Sequence, residues 1–140
     1  MNAPESSYLA TATTAMRHWT AGAADGDWSH LVAMLEPDVT FHVPVSGFSG
    51  VQCGIIAATR FFDHLSAVLR ADLAVTATLQ DDTRTAFEVT VDGSMNERRF
   101  VQALCLVFVV RDGRVQAFRE YVAWPGGLTP RSVARRAVTN

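Results

Sequence analysis

Residues 101–110, Val-Gln-Ala-Leu-Cys-Leu-Val-Phe-Val-Val, narrow the choice of fold more than any other stretch of the chain. Strand side chains alternate between two faces, and here both the odd and the even positions are predominantly apolar. A strand of this kind, spanning about 98–111, needs cover twice. Helices of the same chain can supply one layer, and a second subunit is the expected other layer, which makes a homodimer the expected state. Asp112-Gly113 follows directly and reads as a tight hairpin, because a two-residue turn of this type takes positive φ at both central positions.

The strand after that hairpin carries the chain's main chemical signal. Over residues 115–124 one face holds Phe118, Glu120, Val122 and Trp124, and the other holds Ala117, Arg119, Tyr121 and Ala123. Glu120 is thus a single carboxylate among large apolar groups. Burying an ionised carboxylate without partners is expensive, so such a site raises its pKa and makes it a usable acid or base. The same pattern also fits a strand end where Glu120 reaches solvent or pairs with an arginine.

Upstream, residues 6–24 set Leu9, Ala12, Met16, Trp19 and Ala23 on one helical stripe. Asp27 can cap a short helix carrying Trp28, Leu31, Val32 and Leu35, which Pro37-Asp38 ends. A short strand over 39–43 stops at Pro44, and a loop rich in Gly, Ser and Val follows. A helix over about 54–70 aligns Ile55, Ala58, Phe62, Leu65 and Leu69. Next comes a strand over 73–79 with Leu73, Val75, Ala77 and Leu79 inward, and then one over 85–91 with Phe87, Val89 and Val91 together.

Composition excludes several classes. At 140 residues with 49% apolar content the chain forms one globular domain large enough to enclose a pocket. No apolar run approaches the ~20 residues that span a bilayer, and the first ten residues lack a secretory pattern, so a cytoplasmic location is expected. The net charge of −2 gives no reason to expect nucleic acid or an anionic membrane as partner. All 12 basic residues are arginine, which excludes Schiff-base chemistry on a lysine and a lysine-anchored pyridoxal group. Cys53 and Cys105 are isolated, and the histidines (His18, His30, His42, His64) show no metal-ligand spacing. No cofactor and no metal are expected.

The order helix, helix, short strand, helix and antiparallel meander resembles the nuclear transport factor 2-like cone. Within that superfamily the chain is similar to the SnoaL-like polyketide cyclases and their relatives, the ketosteroid isomerases and limonene epoxide hydrolases. The matching pieces are Gly26-Asp27-Trp28, residues 37–44 (Pro-Asp-Val-Thr-Phe-His-Val-Pro), Ser49-Gly50 with Gly54, Phe61-Phe62, residues 108–115, and Arg119-Glu120-Tyr121. The resemblance covers roughly residues 12–124. It implies an α+β fold, a curved antiparallel sheet wrapped by three helices, with residues 1–128 as one domain and 129–140 as a flexible tail.

The resemblance also assigns roles. Cyclases and epoxide hydrolases of this kind keep a catalytic aspartate seven residues after the hairpin glycine, and that position is Glu120. His42 occupies the place where the epoxide hydrolases contact the reacting water, and imidazole suits proton transfer near neutrality. Alternation opposes this, because Val39, Phe41 and Val43 share the apolar face and turn His42 away from it. Trp19 stands roughly where the isomerases keep an oxyanion-stabilising tyrosine. Two departures narrow the chemistry. The isomerases' aspartate before the proline is Val43, and Phe87-Glu88-Val89 stands where the epoxide hydrolases carry Arg-x-Asp. The expected pocket is lined by Met16, Trp19, Phe62, Leu65, Leu104, Leu106, Phe108 and Trp124, with His64 at the surface or rim.

The resulting expectation is a cofactor-free cyclase or isomerase for a hydrophobic polyketide- or terpenoid-like intermediate, with Glu120 moving the proton and His42 assisting. An epoxide hydrolase or dehydratase using the same pocket, or a non-catalytic small-molecule binding protein, stands as the alternative.

Overall fold

A computed structural model describes residues 3–123. The elements are α1 (Ala3–Asp25), α2 (Ser29–Val32), β1 (Leu35–His42), β2 (Gln52–Cys53), α3 (Ile55–Val68), β3 (Leu69–Asp81), β4 (Arg84–Met95), β5 (Arg98–Arg111) and β6 (Arg114–Val122). All six strands join one curved sheet in the order β2-β1-β6-β5-β4-β3. Strands β3 to β6 form an antiparallel meander, and β1 alone runs parallel to its neighbour β6. This is the expected α+β cone. The expected tail at 129–140 and Trp124 lie outside the described residues.

The hairpin forms as its residues require. Arg111 pairs with Arg114 across Asp112 (φ 52°) and Gly113 (φ 74°), the positive angles that match the twist of the flanking strands. Gln116 is an extra residue between Val115, opposite Val110, and Ala117, opposite Val109. Beyond this bulge the alternation is regular, so Phe118, Glu120 and Val122 share one face.

The start of β1 and the register of β3 depart from the sequence reading. Leu35, placed on the second helix, opens β1 instead, and Pro37 falls where the β1–β6 register shifts, a place that tolerates proline. In β3 the pairing slips between Val75, opposite Val89, and Ala77, opposite Glu88. Ala77 and Leu79 therefore face outward and Thr78 shares the inner face with Phe87, the reverse of the alternation read from sequence.

The core lies between the inner face of the sheet and the helices. From α1, Ala12, Ala15, Met16, Trp19 and Ala23 are buried, while Leu9 at the start of the same stripe is exposed. Ala58, Phe61, Phe62 and Leu65 come from α3, and Phe87, Val89, Leu104, Leu106, Phe108 and Phe118 from the sheet. Trp19 meets Trp28, Phe62, Phe108 and Phe118 edge-on, with ring centres 5.5, 5.5, 6.0 and 5.6 Å away, a favoured aromatic arrangement. Trp28 in turn lies so close over Gly22 that a side chain there would strike its ring, which explains a glycine inside α1. On the outer face β5 presents Val101, Ala103, Cys105, Val107 and Val109, all half-buried.

Candidate active site

Glu120 stands where the packed core gives way to a cavity. Across the β5–β6 ladder Phe118 pairs with Phe108, Glu120 with Leu106 and Val122 with Leu104. Directly opposed residues share a face, so the carboxyl points into the cone. Phe108, Phe118 and Leu106 are fully buried, but Glu120 and Val122 line a cavity of about 710 Å³. That volume suits a small organic molecule.

The residue keeps some surface toward the cavity, while its carboxyl is enclosed by protein. Desolvation therefore disfavours the charged form and raises its pKa from 4.5 to about 7. At neutral pH the group is populated in both protonation states, as a general acid or base needs.

The rest of the wall comes from four places. The loop after β1 contributes Pro44, Val45 and Ser46, and α3 contributes His64. The β4–β5 turn brings Met95, Asn96, Arg98 and Arg99, and β5 adds Phe100 and Gln102. The His64 ring lies tilted against Phe48 at 5.7 Å between centres, and Phe48 itself packs edge-on against Phe61 at 5.3 Å. Within that loop the Phe48 N–H donates to the Val45 carbonyl at 3.0 Å.

Several expected site residues lie elsewhere. His42 shares no wall with Glu120: it is exposed on the outer face, in register with Arg119, its ring edge-on to Tyr121 at 6.0 Å. The physical reason is alternation, since Phe41 packs inward on Phe118 with ring centres 4.9 Å apart and turns its neighbour out. Met16, Trp19, Phe62, Leu65, Leu104, Leu106 and Phe108, expected as pocket walls, are at most 7% exposed and fill the interior instead. Interlocking aromatic rings close that part of the cone, and the cavity begins beyond them. Val43 is buried and carries no carboxyl, and Glu88 is exposed on the outer face opposite Cys105, so it supplies no second carboxyl to the cavity.

His64, expected at the surface or rim, does line the cavity. Gln102 and the residues of the β4–β5 turn went unread. Gln102 left a usable sign: it is the one polar residue in the run 101–110 and has the phase of Leu104, Leu106 and Phe108. Among the described residues no group of three or more His, Cys, Asp or Glu could hold a metal ion. None of the described helices is long and apolar enough to cross a membrane.

The chain is similar to several solved structures. An NTF2-like protein from Anabaena variabilis is 25% identical, with a TM-score of 0.82, over 86% of this chain and 92% of that one. A candidate SnoaL-like polyketide cyclase from Jannaschia is 17% identical, with a TM-score of 0.69, over 86% of this chain and 88% of that one. An LEH-like epoxide hydrolase from M. tuberculosis is 19% identical, with a TM-score of 0.66, over 81% of this chain and 79% of that one. The last two likenesses are of fold alone. No curated protein matches the chain. The model of the SnoaL-like domain matches residues 16–118, well over half of the sequence, and ends two residues before Glu120. The chain belongs to the SnoaL-like domain family.

Proposed function

We propose that the cavity is the active site of a cofactor-free cyclase or isomerase acting on a hydrophobic, partly oxygenated polyketide- or terpenoid-like intermediate. The observation that carries this reading is the placement of Glu120. It is the one acid among the described lining residues, it is enclosed at the inner end, and its pKa is raised to about 7 by desolvation. A carboxylate in such a place removes a proton from carbon next to a carbonyl and returns it elsewhere on the same molecule. Ring closure and double-bond migration both begin with that step.

His42 has no part in this mechanism, because it lies on the other face of the sheet. Ser46, His64, Asn96, Arg98, Arg99 and Gln102 are the polar groups that share the cavity wall with Glu120, and of these His64 and Gln102 are each able to donate a hydrogen bond to a substrate oxygen. Met95, Phe100 and Val122 add apolar surface that excludes water and holds the substrate in one orientation, an effect that alone supplies several kcal/mol.

The test is solvent deuterium exchange into 2-tetralone, a hydrophobic ketone with an acidic C–H. The full chain should accelerate exchange over buffer, and Glu120→Gln should reduce the acceleration by about 10²–10⁴-fold. Exchange at the wild-type rate in Glu120→Gln would remove Glu120 from the chemistry.

A further inference from the structure

Glu120 is one end of a chemically graded wall, and the other end is cationic. The strand register gives the order. Leu106 stands opposite Glu120, Leu104 opposite Val122, and Gln102, Phe100 and Arg98 follow along β5 with the same side-chain phase. No register shift interrupts the β4–β5 ladder over this length. Glu120, Val122, Gln102, Phe100 and Arg98 all line the one cavity. Its wall therefore runs from acid through aliphatic, amide and aromatic groups to guanidinium. The backbone between the Leu106 and Arg98 positions spans at most about 27 Å, and both end side chains reach inward from it.

The two cations at the mouth are not equivalent. Arg99 is held by Asp92 at 2.8 Å, so its charge is answered within the protein. Arg98 makes no ion pair among the described residues and lies beside Asn96 on the rim. No other acid reaches the cavity among the described lining residues except Glu120, at the far end. Glu97, the acid of the same turn, is exposed and is not among the lining residues, so the charge presented to the cavity at its mouth is the Arg98 guanidinium.

We propose that the ligand of this cavity is an elongated amphipathic acid, whose carboxylate is held by Arg98 at the mouth while its apolar body lies along Phe100 and Val122 toward Glu120. The inference rests on the reading of the cavity as the substrate site, and it adds the substrate's charge and orientation. A planar guanidinium matches a carboxylate through paired N–H donors, which fixes the molecule end-on. Gln102, midway along the wall, can bond a mid-chain oxygen. Anchoring the charged end far from Glu120 also keeps a second negative charge away from the proton-transfer group.

The test uses sodium decanoate and decanamide, which have the same shape and differ in charge. Calorimetric titration of the full chain at pH about 6.5 keeps decanoate ionised and Glu120 mostly neutral. Decanoate should bind about three- to tenfold more tightly than decanamide. Arg98→Gln should bring the two affinities together by weakening decanoate much more than decanamide, and Glu120→Gln should keep the difference. Raising ionic strength from about 0.05 to about 0.5 M should shrink the wild-type preference, a readout independent of any variant. Equal binding of the two probes, binding of neither, or an unchanged ratio in Arg98→Gln would overturn the inference. The proton-transfer reading is scored by 2-tetralone exchange in Glu120→Gln and the carboxylate reading by the titration of Arg98→Gln, so loss of one and loss of the other give different results.

Discussion

Glu120 faces Leu106 directly across the β5–β6 ladder, and the border between core and cavity runs between them. Leu106 is fully buried, while Glu120 retains surface on the cavity. One register step further in, Phe118 lies opposite Phe108, and both are sealed in the aromatic cluster. The carboxyl is therefore as deep as a charge can sit here and still meet a ligand.

The first consequence is a pH profile. A base acts in its ionised form, and the ionised fraction of Glu120 rises through its pKa of about 7. Enzyme-dependent exchange into 2-tetralone should therefore climb with pH and level off above that value. Glu120→Gln should show no such inflection. A wild-type rate flat from pH 5 to pH 8 would show that another group sets the rate.

Stability should move the opposite way. The unfolded carboxyl ionises near 4.5 and the folded one near 7, so between these values the native state binds the extra proton. Stability contributed by the neutral form is complete below about pH 4.5 and is lost as pH rises to about 7. The full difference is on the order of 3 kcal/mol. Glu120→Gln should match the wild type near pH 4.5 and exceed it at pH 8, as read by urea midpoints. Equal midpoints at both pH values would mean the carboxyl is solvated.

Much of this site was legible from alternation and little of it from helical periodicity. The Glu120 side chain could be assigned to the inner face because the regular part of β6 begins at Ala117, after the bulge. The same rule misplaced Ala77 and Leu79, since the slip after Val75 leaves no mark in the apolar pattern. Helical stripes named Met16, Trp19, Phe62 and Leu65 correctly as inward-facing. An inward apolar side chain looks the same in sequence whether it meets core or cavity, so the stripe could not show where packing ends. Arg98, Arg99 and Asn96 were invisible for another reason: they reach the cavity because a turn folds over its mouth, with the Asn96 N–H bonded to the Val68 carbonyl at 2.9 Å.

Trp19 separates core from pocket experimentally. It touches four aromatic rings and is 3% exposed, so Trp19→Ala should cost about 3–5 kcal/mol by opening a void. The loss should appear in the urea midpoint, and folded protein retained in stabilising salt should still bind decanoate. A variant of wild-type stability that binds no ligand would instead place Trp19 in the site.

A second copy of the chain is the expected cover for the outer face of β5, where Val101, Ala103, Cys105, Val107 and Val109 lie in one row. A stable interface there needs at least about 1,000 Å² in total, which a sheet face can supply. Sedimentation should give a dimer at micromolar concentration, and Val107→Asp should give a folded monomer. A wild-type monomer at that concentration would rule this assembly out.

The β4–β5 turn that presents Arg98 is built from two residues with positive φ, Asn96 at 52° and Glu97 at 67°. Met95 pairs with Arg98 to close it, so it is a two-residue hairpin like Asp112-Gly113, but without the glycine. Asparagine tolerates this region, whereas glutamate pays about 1–2 kcal/mol for the approach of its Cβ to the backbone. Glycine at the same place avoids that cost and gives back part of the gain through a more flexible unfolded chain. Glu97→Gly should therefore stabilise the protein by about 0.5–1 kcal/mol, raising Tm by roughly 2–4 °C. Gly113→Ala, which adds a side chain at φ 74°, should lower it by a similar or larger amount. The decanoate preference should survive Glu97→Gly, because the turn keeps its shape and Arg98 its place. A fall in Tm would mean that the Glu97 side chain makes a stabilising contact worth more than the strain it carries.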